Sequence, residues 1–298
     1  MLSVLIPVYN FDVRELVKDL HEQCVEAGIA FEILVFDDQS KEYFQQLNGA
    51  VAEYTYVKYQ VLPQNVGRSR IRNQLASAAN YPYLLFMDGD SKVVRGAYIH
   101  TYLQHLHPQK LLYGGRSYAL QPPADPHLHF HWWYGSQREV MLPAKRQEQP
   151  HHAFMTNNFL IPKALFEPIG FDERLLQYGH EDTLFGLELQ KRHIPILHLD
   201  NPIEHIGLEP RDQFLAKSEK AIENLHFLAQ AYPQLSTKLL RIYRKVKQYG
   251  LTGLFLLVLK PLRPLMQKKL EQEQPDLRWF DLYKLLLLLE KEVANQAR

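Results

Sequence analysis

The sequence predicts an α/β fold with a mixed, mostly parallel sheet flanked by helices, followed by a helical C-terminal extension. Three features predict it. In the first 113 residues, short apolar runs alternate with segments in which apolar residues recur at helical spacing. The apolar runs end in polar residues. Beyond residue 205 the pattern is helical, and from Lys238 the composition changes to mixed basic and apolar residues.

Four apolar runs are predicted to be buried strands, namely Leu2–Pro7, Phe31–Phe36, Tyr56–Leu62 and Tyr83–Met87. A helix is expected between the first two, with Gly28 as its stop, and another between the last two, within residues 65–80. Strands separated by helices indicate a parallel sheet with right-handed crossovers.

Polar residues follow three of these strands. Asn10 follows the first, Asp37 and Asp38 end the second, and Asp88 and Asp90 follow the fourth. In open α/β sheets, ligands bind beyond the carboxyl ends of the strands. We therefore expect these side chains to converge on one crevice.

The composition limits the class of protein. With 34 basic and 33 acidic residues, the chain carries no overall charge suited to nucleic acid. The single cysteine, Cys24, excludes an internal disulfide and suits a reducing compartment. The N-terminus predicts no secretory signal, and no apolar run is long enough to span a bilayer. The expected location is the cytoplasm.

Two acidic motifs are candidates for chemistry. Asp88-Gly89-Asp90 places two carboxylates on one turn, where they suit a divalent cation or a ribose, although such a triplet also occurs as a solvated turn. Asp37-Asp38 suits hydrogen bonds to a base or ribose, or simply the cap of the next helix.

Two further motifs precede predicted helices. Residues 65–73 (NVGRSRIRN) place a glycine before a helix with three arginines, which suits a diphosphate or a solvated basic helix. Glu181 and Asp182 precede a helix at residues 183–191, where a carboxylate can act as a general base or as a helix cap.

Five motifs in this order and spacing resemble family 2 glycosyltransferases of the GT-A fold: PVYN at 7–10, DDQS at 37–40, NVGRSRIRN at 65–73, DGD at 88–90 and HED at 180–182. The DDQS motif carries Gln39 where the common pattern has glycine. The resemblance covers residues 1–205, predicted as a catalytic domain with a nucleotide-binding half (1–115) and an acceptor half (116–205). Residues 206–298 are predicted as a helical extension.

The resemblance implies an inverting transferase that moves a sugar from a nucleotide-diphosphate donor, with UDP as the expected nucleotide, to a hydroxyl acceptor. Asp182 is the implied base and Glu181 the implied acceptor-positioning residue. The implied donor-binding residues are Pro7, Tyr9, Asn10, Asp37, Asp38, Asn65, Gly67, Arg70, Asp88 and Asp90.

The resemblance also implies Mn²⁺ or Mg²⁺, held by Asp90 and Asp88 with a histidine. Among 14 histidines, His205 is preferred to His198. Residues 120–156 are predicted to form an irregular loop or lid. Asn158 is expected to touch donor sugar or acceptor, and Trp132 and Trp133 to stack on an acceptor sugar or to pack the loop.

The sequence of the C-terminal extension predicts contact with a membrane surface. No acidic residue occurs between Glu223 and Glu271, and the apolar run Leu251–Leu259 lies within this basic stretch. This pattern is typical of a helix in the interface of an anionic membrane, or of one packed on another part of the protein. Peripheral attachment at residues 238–270 to the inner face of the cytoplasmic membrane would suit a lipid-linked or cell-envelope glycan acceptor.

The same residues bear on three other functions. A nucleotidyltransferase acting on sugar phosphates also uses carboxylates and Mg²⁺, but it would carry a loop rich in glycine and lysine after the first strand, where PVYN stands. A non-catalytic sugar-binding protein would not need both a metal pair and a base. A conventional NAD enzyme is disfavoured because no GxGxxG follows the first strand.

Overall fold

The computed structural model describes residues 1–174 and 179–296. These residues divide into two compact units. The first comprises residues 1–119, 138–174 and 181–207, and the second comprises residues 120–137, 179–180 and 208–296. The domain boundary at residue 205 stays a prediction.

The strands, in chain order, are β1 Leu2–Val8, β2 Phe31–Asp37, β3 Val57–Val61, β4 Tyr83–Met87, β5 Ser91–Lys92, β6 Leu111–Tyr113, β7 Arg116–Ser117, β8 Asn158–Pro162, β9 Ile196–His198 and β10 Ile203–His205. The α-helices are α1 Arg14–Glu26, α2 Glu42–Gly49, α3 Arg68–Ala78, α4 Tyr98–Gln104, α5 His129–Arg138, α6 Pro143–Gln147, α7 Lys163–Phe166, α8 Glu181–Lys191, α9 Arg211–Ala231, α10 Lys238–Gln248, α11 Thr252–Leu259, α12 Arg263–Lys269 and α13 Arg278–Gln296. Short 3₁₀ turns occupy Ala50–Glu53 and Pro126–Leu128.

The first unit is built on a sheet of seven strands among the described residues, in the order β3-β2-β1-β4-β8-β6-β9. Every neighbouring pair is parallel except those that β8 makes with β4 and β6. The predicted mostly parallel sheet is confirmed, and so are all four predicted strands.

Helices cover both faces of this sheet. Because successive strand residues point to opposite faces, Val4 and Ile6 pack with α1, whereas Leu5 packs with α3. The predicted helix after β1 ends at Glu26, and Gly28 adopts the left-handed conformation expected of a helix stop.

A second, small sheet joins β5, β10 and β7 in that order. β10 is antiparallel to β5, with His205 opposite Ser91, and parallel to β7. This pairing brings three segments that are distant in sequence to one place beside the ends of the main strands.

Residues 120–156 were predicted to be irregular, and the structure corrects this. They contain a 3₁₀ turn, α5 and α6. Within the second unit, Phe130 of α5 packs edge-to-face on Phe214 and Phe280, and Tyr134 contacts the same two rings. Aromatic residues are only moderate helix formers, so this packing, which the local sequence does not reveal, stabilises the helix.

The other helices of the second unit are centred on α13, which packs against α9, α10, α11 and α12. Buried Glu292 of α13 interacts with His226 of α9 and with Tyr243 and Lys247 of α10. Burial opposes its ionisation, but the three partners lower the pKa of Glu292 to about 2. Among the described segments, every helix falls short of the combined length and apolar character that crossing a bilayer requires.

We predict that Asn158→Ala lowers the free energy of unfolding by about 2–4 kcal/mol, because four buried groups lose their partner. Asn158 is fully buried in β8. Its Oδ1 accepts from the hydroxyls of Tyr98 (2.5 Å) and Tyr102 (2.6 Å), and its Nδ2 donates to the carbonyls of Gly115 and Asn201 (both 2.9 Å). Urea unfolding measures the change.

Tyr98→Phe is the matched control for this prediction. It removes one of the two donors to Oδ1 and should cost only about 1 kcal/mol. An unchanged unfolding midpoint for Asn158→Ala would contradict the prediction.

Candidate functional site

The loops after β1 and β2 are hydrogen-bonded to each other. The backbone N–H of Asn10 donates to Ser40 Oγ (2.7 Å), and Asn10 Oδ1 accepts from the Lys41 N–H (2.8 Å). Asn10 and Gln39 both adopt left-handed backbone conformations, which turn the chain sharply after each strand. The PVYN and DDQS motifs therefore form one surface, from which the ring of Tyr9 projects, 57% exposed. Pro7, at the end of β1, is partly buried beneath this surface.

Asp37 does not line this surface. It is fully buried, and its two carboxylate oxygens accept from the Ser40 N–H (2.6 Å) and the Tyr59 hydroxyl (2.7 Å). These bonds hold the turn after β2. The side chain is enclosed in this conformation, and the nucleotide contact of Asp37 stays a prediction.

Asp38 joins the DDQS turn to the start of α3. Its carboxylate accepts from the N–H groups of Val66 (2.6 Å) and Gly67 (3.0 Å), and Asn65 Nδ2 donates to its carbonyl (2.9 Å). Burial raises the pKa of Asp38, and the two N–H donors oppose that rise. Asp38 thus fixes the NVGR loop, and Gly67, with φ +82°, provides the turn that starts α3.

Two arginines of α3 reach acidic partners in the first unit. Arg70 Nε donates to Glu173 (3.0 Å), whereas Arg68 lies 3.5 Å from Glu181 at the start of α8. The residue predicted from the sequence to contact the diphosphate is Arg70. The structure places Arg68, which the sequence reasoning did not single out, beside Glu181 and in electrostatic contact with Asp90.

Asp88 is held between two arginines. Arg72 of α3, almost fully buried, donates to Oδ1 (2.6 Å), and Arg116 of β7 lies 3.5 Å from Oδ2. Both carboxylate oxygens therefore face guanidinium groups, which neutralise the charge of Asp88 in this conformation.

Asp90 and His205 are brought together by the small sheet. The backbone N–H of Ile206 donates to the Asp90 carbonyl (2.9 Å), and His205 Nδ1 lies 3.4 Å from Asp90 Oδ1. Burial opposes ionisation of Asp90, but His205, Arg116 and Arg68 hold the pKa of Asp90 below its ordinary value. The other candidate, His198, faces the Pro150 carbonyl at 3.0 Å instead.

Gly207 leaves room for this carboxylate. A Cβ at residue 207 would lie 2.6 Å from both Cβ and Oδ2 of Asp90. Only glycine fits there without displacing the Asp90 side chain or the backbone beside it.

The predicted cation has a partial fit to these residues. Within residues 1–174 and 179–296, no group of three or more His, Cys, Asp or Glu side chains is arranged to hold a metal ion. Asp90 and His205 fit such an ion, since Asp90 Oδ1 is buried and lacks a hydrogen bond of normal geometry to any described residue. Asp88 does not fit as a ligand of the ion in this conformation, because both of its carboxylate oxygens face arginines. A Mg²⁺ or Mn²⁺ ion commonly completes its shell with water and phosphate oxygens.

The sequence reasoning missed a partly buried ion pair that joins Arg116 to Glu139. Arg116 donates to Glu139 Oε2 (2.8 Å), which also accepts from the Tyr118 hydroxyl (2.6 Å). Burial opposes ionisation of Glu139, but Arg116 and Tyr118 hold its pKa below the ordinary value. The sequence feature that could have pointed to Arg116 is the pair Gly114-Gly115 directly before it. Two glycines after a strand indicate a place where another part of the chain approaches the backbone closely.

Asp182, at the start of α8, is partly exposed and close to the same arginine. Its carboxylate accepts from the Thr183 N–H (2.6 Å). Burial and the neighbouring Glu181 raise the pKa of Asp182 to about 6, against the opposing effect of Thr183 and Arg116. Asp88, Asp90 and Asp182 thus all lie within the electrostatic reach of Arg116.

The residues predicted to contact the acceptor have protein partners in this conformation. Asn158 is enclosed in β8 with its amide fully hydrogen-bonded, and the contact predicted for it with donor sugar or acceptor stays a prediction. Trp132 is buried in the second unit, and Trp133 donates from Nε1 to the Pro275 carbonyl (3.0 Å). The packing alternative describes both tryptophans in this conformation, and stacking on a sugar stays a prediction.

Solved structures share this fold. Residues 1–349 of TarS from S. aureus match all of this chain and 92% of theirs, with a TM-score of 0.50 and 17% identity. The mannosyltransferase PcManGT from Pyrobaculum calidifontis, in complex with GDP-Man and Mn²⁺, matches 99% of this chain and 75% of its own, with a TM-score of 0.58 and 12% identity. No functionally curated protein is significantly similar in sequence.

The mixed, mostly parallel sheet with additional C-terminal helices is therefore a GT-A fold, as predicted. The family model described as glycosyl transferase family 2 matches residues 3–166, more than half of the chain, and it spans four of the five motifs that carried the resemblance. The chain belongs to glycosyl transferase family 2 and is a glycosyltransferase.

Proposed function

We propose that this enzyme transfers a sugar from a nucleotide-diphosphate sugar to an acceptor hydroxyl, with inversion at the anomeric carbon and with a divalent cation. The observation that carries the proposal is that Asp90 and Asp182 both interact electrostatically with Arg116, yet the pKa of Asp90 is lowered and that of Asp182 is raised. One carboxylate suits a cation and the other suits a proton, which are the two tasks of such a transfer.

The donor is assigned to the surface made by the loops after β1 and β2. The exposed Tyr9 ring offers a stacking face for the base, and Asn10 and Asn65 offer hydrogen-bonding groups beside it. Arg68 and Arg70, in the first turn of α3, supply cations for the diphosphate. UDP is the first nucleotide to test, and GDP follows because PcManGT, which shares the fold, holds GDP-Man.

Asp90 and His205 are the residues proposed to hold the cation. When bound there, Mn²⁺ or Mg²⁺ would supply positive charge to the departing diphosphate. Asp88, already neutralised by Arg72 and Arg116, would instead orient the ribose or keep these arginines in place.

Asp182 is the proposed general base. It takes the proton from the acceptor hydroxyl as the acceptor oxygen bonds to the anomeric carbon from the face opposite the leaving group. The bond between that carbon and the phosphate oxygen breaks, and the nucleoside diphosphate leaves with the bonding electrons. Glu181, held by Arg68, stands beside Asp182 to position the acceptor.

The acceptor is proposed to be a hydroxyl of a glycan or a lipid-linked saccharide of the cell envelope. A lipid-linked acceptor would be met at the inner face of the cytoplasmic membrane, through the basic and apolar segment 238–270.

We predict divalent-dependent hydrolysis of one class among UDP-, GDP- and other nucleotide sugars, and a loss of at least about 100-fold in Asp90→Ala. The measurement is release of nucleoside diphosphate with Mn²⁺, with Mg²⁺ and with a chelator. Asp212→Ala, an exposed aspartate in α9, is the matched control and should keep the wild-type rate. Release of inorganic pyrophosphate from a nucleoside triphosphate and a sugar phosphate would instead identify a nucleotidyltransferase.

For the base, we predict that kcat/KM for transfer rises with pH and levels off above about pH 6. The carboxylate must be ionised to accept a proton, and the pKa of Asp182 is raised to about 6. Asp182→Asn should bind donor normally but lose transfer by about 10²–10⁴-fold. Glu181→Gln should move the rising limb to lower pH, since the Glu181 charge raises that pKa. Normal transfer by Asp182→Asn would show that the base is another residue.

The space beside Asp90 leaves no room for a side chain at residue 207. Gly207→Ala should lower divalent-dependent turnover by about 10–100-fold, because the new methyl group displaces the Asp90 carboxylate. Gly96→Ala, which meets open space, is the matched control and should be silent. Mn²⁺ titration by calorimetry in the presence of donor should show weaker binding for Gly207→Ala, and equal binding in both variants would refute the proposed role of this glycine.

A further inference from the structure

Helix α11 in the second unit presents an unusual outer face. Its residues are almost all apolar, and the side towards α13 and α10 is packed, with Leu259 buried. The opposite side is not covered by the protein: Leu254 is 56% exposed, Leu257 73% and Val258 52%. These three residues are separated by three and four positions, so they share one face of the helix.

Two residues near these in sequence are exposed as well. Leu251 precedes α11 and lies one turn before Leu254, and Leu265 of α12 is exposed close by in sequence. A cluster of branched apolar side chains on the outside of a helix is unfavourable in water and marks a surface that another apolar phase covers. We call Leu251, Leu254, Leu257, Val258 and Leu265 the apolar face.

The segment that carries the apolar face has charges of one sign. Between Glu223 and Glu271 the basic residues are Lys238, Arg241, Arg244, Lys245, Lys247, Lys260, Arg263, Lys268 and Lys269. Lys247 and Arg263 bind Glu292 and Glu290 of α13. Arg241, Lys245, Lys260 and Lys268 make no ion pair with any residue that the structure describes, and all four are exposed.

We propose that the apolar face enters the interfacial region of an anionic lipid membrane, with these four basic residues on the lipid headgroups. With eight residues, α11 suits a position in the plane of the interface. A second copy of the chain fits less well, because two such faces would bring cations against cations. This inference deepens the proposed function by naming the surface where a lipid-linked acceptor is met, and it rests on that function only for the acceptor.

The test is flotation of the protein with two kinds of vesicle, one of phosphatidylcholine alone and one that also contains about 30% phosphatidylglycerol. The second mixture approximates the anionic content of the cytoplasmic leaflet. The wild type should float with the anionic vesicles and stay in solution with the neutral ones. The double variant Leu254→Gln/Leu257→Gln should lower the bound fraction at least about 10-fold. Leu120→Gln/Leu142→Gln replaces two leucines elsewhere that are even more exposed, and it should bind as the wild type does.

The basic residues are tested separately. Lys260→Gln/Lys268→Gln should weaken binding to anionic vesicles and make it less sensitive to salt. The proposal is overturned if the wild type does not float, if Leu254→Gln/Leu257→Gln floats equally well, or if sedimentation shows a dimer that this variant abolishes.

Donor hydrolysis without vesicles separates this inference from the proposed function. Leu254→Gln/Leu257→Gln should retain wild-type hydrolysis, because its substitutions lie outside the site. Flotation without hydrolysis by the wild type would refute the proposed function alone, whereas hydrolysis without flotation would refute the membrane surface alone.

Discussion

The candidate site depends on the balance of charge around the guanidinium of Arg116. Asp88, Asp90, Glu139 and Asp182 all come within its electrostatic reach, and four carboxylates this close would repel one another strongly without it. Arg72 and Arg68 add further positive charge from α3. An arginine keeps its charge at any working pH, so Arg116 can hold these acids together permanently. The acids can then differ in role without the cluster coming apart.

Backbone pairing, more than side-chain chemistry, sets the position of these groups. Asp88 and Asp90 follow β4 in the main sheet, whereas Arg116 and His205 belong to the small sheet. Because His205 stands opposite Ser91, its ring is placed beside Asp90, and the chain then passes so close that residue 207 must be glycine. Three short strands thereby join residues separated by more than 100 positions in sequence.

The sequence predicted the main sheet because its strands are long enough to show apolar runs, and it predicted the strand-end acids because they follow those runs directly. It missed the small sheet because β5 and β7 have two residues each, too few for a recognisable period. It also could not show that Asp37 is enclosed by hydrogen bonds within its own turn, or that Asn158 is buried. A polar residue at a strand end reads the same whether it faces a ligand or encloses its own hydrogen bonds, and only the folded neighbours decide.

The difference between Asp90 and Asp182 follows from their nearest neighbours. Both suffer from burial, which disfavours a charged carboxylate. Asp90 has a histidine and two arginines around it, so the net effect is a carboxylate that stays ionised and attracts a cation. Asp182 has another acid, Glu181, as its neighbour, and its pKa rises towards neutrality. A stronger positive field at Asp182 would make it a poor proton acceptor, and a weaker one at Asp90 would cost that carboxylate its charge. The different neighbours of the two acids, His205 beside Asp90 and Glu181 beside Asp182, are therefore what suits one small cluster to the proposed cation and the proposed proton transfer.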